Sequence, residues 1–145
     1  MFVFKNIFIL LIFLNSFIFA SSAELYQQLG YSTTYNEALL KAKKTNKPMM
    51  LVLSTKTCPW CRKLENQVLR RDNINKIVQM NFVGIGLDRD DDVYPKEFIP
   101  EVVPTVVFID PHNQNVLFKS YGYKSKKDFI KILTQINKNY KKATK

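Results

Sequence analysis

The stretch that most limits this chain is Met49-Met50-Leu51-Val52-Leu53-Ser54, preceded by Asn46-Lys47-Pro48 and followed closely by Cys58-Pro59-Trp60-Cys61. A continuous apolar run that is short and bounded by a proline has the profile of a strand buried on both faces. Such a strand needs cover above and below. Thr55–Thr57 is then a tight connection, and the two cysteines fall at the start of a helix running to about Arg70, with Leu64, Val68 and Leu69 as its inward stripe.

The remaining elements follow from caps and periodicity. Thr34-Tyr35-Asn36-Glu37 is a capping box that opens a helix through about Thr45, where Asn46-Lys47-Pro48 stops it. Asp72 is expected to cap a shorter helix with Ile74, Ile77 and Val78 inward. Phe82–Leu87 is a second apolar run, Asp88–Asp92 an acidic loop, Tyr94–Phe98 a helical turn, and Thr105–Ile109 a third strand. Asp110-Pro111-His112-Asn113 is turn chemistry leading to a fourth strand, Val116–Tyr121, which Gly122 ends. Ser125-Lys126-Lys127-Asp128 caps a final helix with Phe129, Ile132, Leu133 and Ile136 inward. Strands joined through helices should be parallel and the last two should form an antiparallel hairpin. The expected class is α/β: a mixed four-stranded sheet with helices on both faces, in one domain from residue 24 to 145.

Residues 1–23 read as an export signal. Lys5 is its positive region, Ile7–Leu14 with Phe17–Phe19 its apolar core, and Ala20-Ser21-Ser22-Ala23 its small-residue cleavage site. The alternative is an uncleaved anchor, but the run from Ile7 to Ala20 is interrupted by Asn15-Ser16 and falls short of the ~20 residues that span a bilayer. Export implies an oxidising space, where two neighbouring thiols tend to become a disulfide. The chain has 22 Lys+Arg against 12 Asp+Glu, a formal charge of +10, yet the lysines are scattered over helix faces and the tail without interleaved aromatics. That pattern argues against a nucleic-acid partner and leaves a weak attraction to anionic membrane surfaces or acidic partners.

With two cysteines and one histidine in all, disulfide scaffolds and cysteine-caged zinc or iron–sulfur centres are excluded, and no cofactor motif is present. The chemistry therefore rests on Cys58 and Cys61. Two intervening residues at a helix start bring both sulfurs within one turn. The first-turn amides favour the thiolate of Cys58, Lys56 and Arg62 add positive charge, and Pro59 costs little at an early helical position. Cys58, outermost, is the expected attacking thiolate, and Cys61, one turn deeper, the resolving thiol. A purely structural staple is the weaker alternative, because so small a loop gains little entropy from closure. A metal site would need two further ligands, with only His112 to offer a nitrogen.

Strand–Cys58-Pro59-Trp60-Cys61–helix, Val103-Pro104-Thr105 before a hairpin, and a closing amphipathic helix together resemble the thioredoxin superfamily over about Thr34 to Ile136. The lead-in Glu-Ala-Leu-Leu-Lys-Ala-Lys-Lys-Thr-Asn-Lys-Pro and the Cys-Arg-Lys-Leu-Glu after the motif look most like its exported members. That group contains the periplasmic C-terminal domain of the transmembrane thiol reductase DsbD and SoxW-type proteins. The resemblance implies a cis Val103–Pro104 bond beside the cysteines, with Val103 backbone groups pairing with an extended substrate. It also implies an exported thiol–disulfide oxidoreductase, more a reductase than an oxidase, with protein disulfide substrates and a membrane thiol donor.

The chain departs from thioredoxins at two places. Val52 stands where their buried aspartate serves proton transfer, and Pro59-Trp60 replaces Gly-Pro. Glu65 matches a glutamate of the DsbD domain and is expected to serve as proton acceptor, or else to be a surface carboxylate paired with Arg62 or Lys63. Trp60 is expected to be exposed as a contact surface for partner chains. Tyr121 and Tyr123 read as sheet-end packing, and Asp88–Asp92 as a solvated loop without EF-hand spacing. The rival reading is a thioredoxin-fold module that holds a soft ion such as Cu(I) on the two thiolates.

Overall fold

The computed structural model describes residues 22–144. The expected signal segment, apart from Ser22 and Ala23, lies outside them. Strand β1 (Met49–Ser54) is buried at every position, and its two-residue alternation divides it between two cores. Met50 and Val52 point into one, Met49, Leu51 and Leu53 into the other. It pairs in parallel with β2 (Val83–Asp88) and antiparallel with β3 (Thr105–Ile109). β4 (Val116–Tyr121) completes a β3–β4 hairpin and the sheet order β2-β1-β3-β4. The mixed four-stranded sheet with helices on both faces is thus the observed architecture.

The first core is closed by α1 (Ser22–Gln28), α3 (Pro59–Leu64), α4 (Asp72–Asn81) and α5 (Lys126–Ala143), which contribute among others Tyr26, Leu64, Ile74, Val78, Phe129 and Leu133. The second is closed by α2 (Tyr35–Thr45), through Ala38 and Ala42, and by a 3-10 turn at Lys96–Phe98 that inserts Phe98. Ile77 and Ile132, expected inward, are partly buried against the first core. β4 is the exposed edge, with Val116, Leu117 and Phe118 largely outward.

Local signals set several of the boundaries. Thr34 Oγ1 accepts from the Glu37 amide at 3.2 Å, while the Glu37 carboxylate reaches back to accept from the Thr33 amide at 2.9 Å. Asn46, in the left-handed region at φ 50, ends α2. Ser125 caps α5 as expected.

Three features differ from the sequence reading. The helix after Cys58 is α-helical only to Leu64 and continues as a π turn over Glu65–Leu69. The N-cap of α4 is Arg71, with Asp72 inside the first turn, where its charge suits the helix dipole. Finally, α1 precedes the first helix that the sequence marks. A seven-residue helix is marginal on its own and is held by tertiary packing of Leu25 and Tyr26.

That packing explains two of the four glycines. Tyr26 and Tyr31 stack with ring centroids 5.9 Å apart and lie on β2 where it lacks side chains. A Cβ at Gly84 would sit 2.7 Å from the Tyr31 ring, and one at Gly86 would sit 2.1 Å from the Tyr26 ring. Gly86→Ala is therefore expected to displace Tyr26 and lower stability by about 1–3 kcal/mol. Urea unfolding checks this, and an unchanged midpoint would refute the packing account.

Candidate active site

The turn leaving β1 delivers Cys58 as the N-cap of α3, with Pro59 in the first turn. Cys58 Sγ accepts a hydrogen bond from the Cys61 amide at 3.1 Å. The two cysteines form a disulfide with their Cα atoms 5.2 Å apart. They differ in access: Cys58 retains 9% of its surface and Cys61 only 2%. A thiolate attacking this disulfide from solvent reaches the outer sulfur first.

A second strand end frames this turn. Leu53 pairs with Thr105, so Pro104 stands alongside the end of β1 from which the cysteine turn departs. The Val103–Pro104 peptide bond is cis. Its loop is fixed on both sides, by Thr105 Oγ1 donating to the Val102 carbonyl at 2.7 Å and by the Gly122 amide donating to the Pro104 carbonyl at 2.8 Å.

Trp60, 56% exposed, stands outward from the turn. Its ring lies 6.0 Å from that of Tyr123, and Lys63 Nζ sits 4.7 and 4.8 Å from the two centroids. Tyr123 thus extends the Trp60 surface as well as packing on the first core. Tyr121 is 53% exposed and does not pack at the sheet end as the sequence suggests.

The positive charges beside the cysteines are engaged elsewhere. Arg62 donates to the Lys56 carbonyl at 3.0 Å, and the Lys56 ammonium pairs with Asp91. The acidic loop is more ordered than a merely solvated one. Asp88 accepts from the amides of Asp90 and Asp91 at 2.9 and 3.3 Å, and Asp92 from that of Asp88 at 2.6 Å. His112 joins the β3–β4 turn to Asn46, at the opposite end of β1 from the cysteines.

Glu65 corrects the surface alternative. It is 5% exposed, and its Oε1 accepts from the Tyr26 hydroxyl at 2.8 Å. Neither expected cation takes it, since Lys63 lies over the aromatic pair and Arg62 bonds a carbonyl. Burial pushes the Glu65 carboxyl above the usual range, opposed by hydrogen bonds from Tyr26 and Ser22 and by the charges of Arg62 and Arg70. Among the described residues it is the one buried acidic side chain. Val52 is 1% exposed on the same core face. Glu65 also lines an open cleft of about 660 Å³ with Tyr26, Ser54, Lys56, Arg62 and Asp88. Tyr26 is the residue that the sequence does not reveal, since no motif or periodicity marks it.

The whole arrangement can cycle between a dithiol and a disulfide. Residues 35–137 match the family model described as a thioredoxin-like domain. The chain is 30% identical over 80 residues to Anterior gradient protein 3 of Mus musculus, covering 54% of this chain and 47% of that one. It spans about half or less of the length of the curated relatives it matches first. Among solved structures, a thioredoxin from Thermus thermophilus superposes with a TM-score of 0.62 at 22% identity, over 71% of this chain and 83% of that one. The oxidised DsbD C-terminal domain of Neisseria meningitidis gives 0.53 at 19%, over 81% and 97%. From its family match and its fold alike, the chain belongs to the thioredoxin-like domain family.

Proposed function

We propose that this chain is an exported thiol–disulfide oxidoreductase that exchanges disulfides with protein substrates through Cys58 and Cys61, mainly in the reducing direction and in a periplasm. The observation that carries this reading is the disulfide at the head of α3, with Cys58 at 9% exposure the more accessible partner and Cys61 at 2% the deeper one, in a thioredoxin-like domain. The signal-like residues 1–23 support export. The exported-family resemblance supports reduction and recharging by a membrane thiol donor.

In the reduced chain the Cys61 amide, which points at Cys58 Sγ, favours the Cys58 thiolate. That thiolate attacks one sulfur of a substrate disulfide, and the other leaves as a thiolate. Cys61 then loses its proton and attacks Cys58 Sγ. The intramolecular disulfide forms and the second substrate sulfur departs reduced. Glu65, four residues beyond Cys61 and buried, is the proposed proton acceptor. Trp60, with Tyr123, offers an aromatic face to the substrate, and Val103 and Pro104 offer the backbone beside which an extended segment lies.

Cys61→Ser is expected to accumulate a mixed disulfide on Cys58, read by mass spectrometry of trapped proteins, while Cys58→Ser traps none. Capture by neither variant would remove the reading. Tight stoichiometric Cu(I) binding without reduction of insulin would transfer the pair to soft-metal handling.

Equilibration with glutathione tests direction. The absence of a carboxylate at Val52 and the Pro59-Trp60 dipeptide place the expected potential above thioredoxin's, roughly −270 mV, but well below the roughly −120 mV of a strong periplasmic oxidase. A value at the latter end would sink the reductase assignment.

Because the folded state holds the Glu65 proton more tightly than the unfolded chain does, its stabilising contribution is complete below the usual carboxylate range. It is lost as pH rises through the elevated folded value. Glu65→Gln is thus expected to gain melting temperature relative to the parent as pH rises from 4 to 8. A constant difference in calorimetry would contradict the burial cost.

A further inference from the structure

We infer that Tyr26 is a positioning residue for the proton step at Cys61: seated in the notch that Gly86 leaves in β2, its hydroxyl fixes the Glu65 carboxyl on the cysteine-bearing helix. The inference rests on the oxidoreductase reading and adds a residue from outside the cysteine turn and its proline loop.

The geometry converges from three elements. Tyr26 and Glu65 are 3% and 5% exposed, and their 2.8 Å hydrogen bond joins α1 to the helix that follows the cysteines. Gly86 is the register partner of Val52 on β1, so the Tyr26 ring occupies the sheet position next to the strand site that carries no carboxylate. Finally, the π turn begins at Glu65, with the Arg70 amide donating to the Glu65 carbonyl at 3.0 Å. Helix widening of this kind re-aims side chains and is frequent at functional positions.

The surrounding groups leave this role to Tyr26. On the same helix, Arg62 and Arg70 act on Glu65 through charge, and Ser22 of α1 adds a hydroxyl. Ser54 of β1 and Tyr31 face Tyr26. Lys56, Asp88, Asp91 and Asp92 line the cleft, but Lys56 and Asp91 pair with each other, and Asp88 and Asp92 are held by loop amides. Burial and the Glu65 charge hold the Tyr26 hydroxyl well above its ordinary value, so it remains a donor throughout the neutral range.

A hydroxyl donating to a carboxylate favours the charged form, the form that accepts a proton. The Cys61 proton passes to Glu65. The resulting thiolate attacks Cys58 Sγ of the mixed disulfide, and the bond to the substrate breaks. The substrate thiolate takes a proton from water, and Glu65 returns its own to solvent through the cleft.

The test compares the reduced full chain with Tyr26→Phe. Tyr31→Phe is the control, since it removes a buried hydroxyl that has no hydrogen-bond partner among the described residues. Two readouts are taken: 13C NMR titration of the Glu65 carboxyl, and the pH profile for resolving a Cys58–glutathione mixed disulfide. Tyr26→Phe is expected to raise the carboxyl midpoint by about half a pH unit or more, equivalent to roughly threefold in its ionisation constant. The resolution profile should move the same way, slower near pH 6 and regained towards pH 9. Tyr31→Phe should move neither, and in a Glu65→Gln background Tyr26→Phe should no longer shift the profile. An unmoved midpoint in folded Tyr26→Phe, or an equal shift in Tyr31→Phe, overturns the inference. Failure of the parent to reduce any protein disulfide would overturn the oxidoreductase reading instead, and the NMR titration would still decide whether Tyr26 sets Glu65.

Discussion

Everything in this domain is arranged around the burial of β1. A strand with no residue exposed must be hydrogen-bonded on both edges and covered on both faces, and β2, β3 and the two helical layers exist in the positions that meet those demands. The cysteine turn leaves the end of this strand, so its placement is inherited from the best-packed part of the molecule. The loop carrying Pro104 is positioned by the same strand through the Leu53–Thr105 pairing. The reactive turn and its neighbouring backbone are thus held to one rigid reference, the arrangement that the proposed exchange at Cys58 requires.

The electrostatics around the cysteines are correspondingly local. Lys56 and Arg62, which flank the motif in sequence, are taken up by Asp91 and by a backbone carbonyl, and exposed charges of this kind exert little influence through water. What addresses Cys58 directly is the Cys61 amide. Four residues beyond Cys61, the Glu65 carboxyl is buried and accepts a hydrogen bond from the Tyr26 hydroxyl. The two cysteines therefore sit in different environments, Cys58 slightly more accessible and facing an amide donor, Cys61 more deeply buried.

How much of this was legible in the sequence depended on whether the determining interaction was local. The strands were visible because β1 and β3 are unbroken apolar runs. α2 and α5 were visible because Thr34 and Ser125 cap them, and the reactive pair because the spacing of Cys58 and Cys61 is itself the chemistry. α1 was invisible because its stability comes from Leu25 and Tyr26 reaching across to β2. The burial of Glu65 was invisible for a related reason: helical spacing places it near Arg62 and Lys63, and only the approach of α1 turns it inward. Gly86 stood in the sequence as an unexplained glycine within an apolar run, and its meaning required the aromatic ring that fills it. The π turn left no compositional mark at all.

That turn has a geometric consequence of its own. Each residue of an α-helix advances the azimuth by about 100°, so one helix ordinarily presents one phase along its length. Widening over Glu65–Leu69 takes up an additional residue and offsets the phase between the two ends. The α-helical part carries Cys61 and Leu64 inward, and the π turn that ends the rod carries Glu65, Val68 and Leu69 inward. The rod thus buries the consecutive residues Leu64 and Glu65 together before the π turn closes it at Leu69.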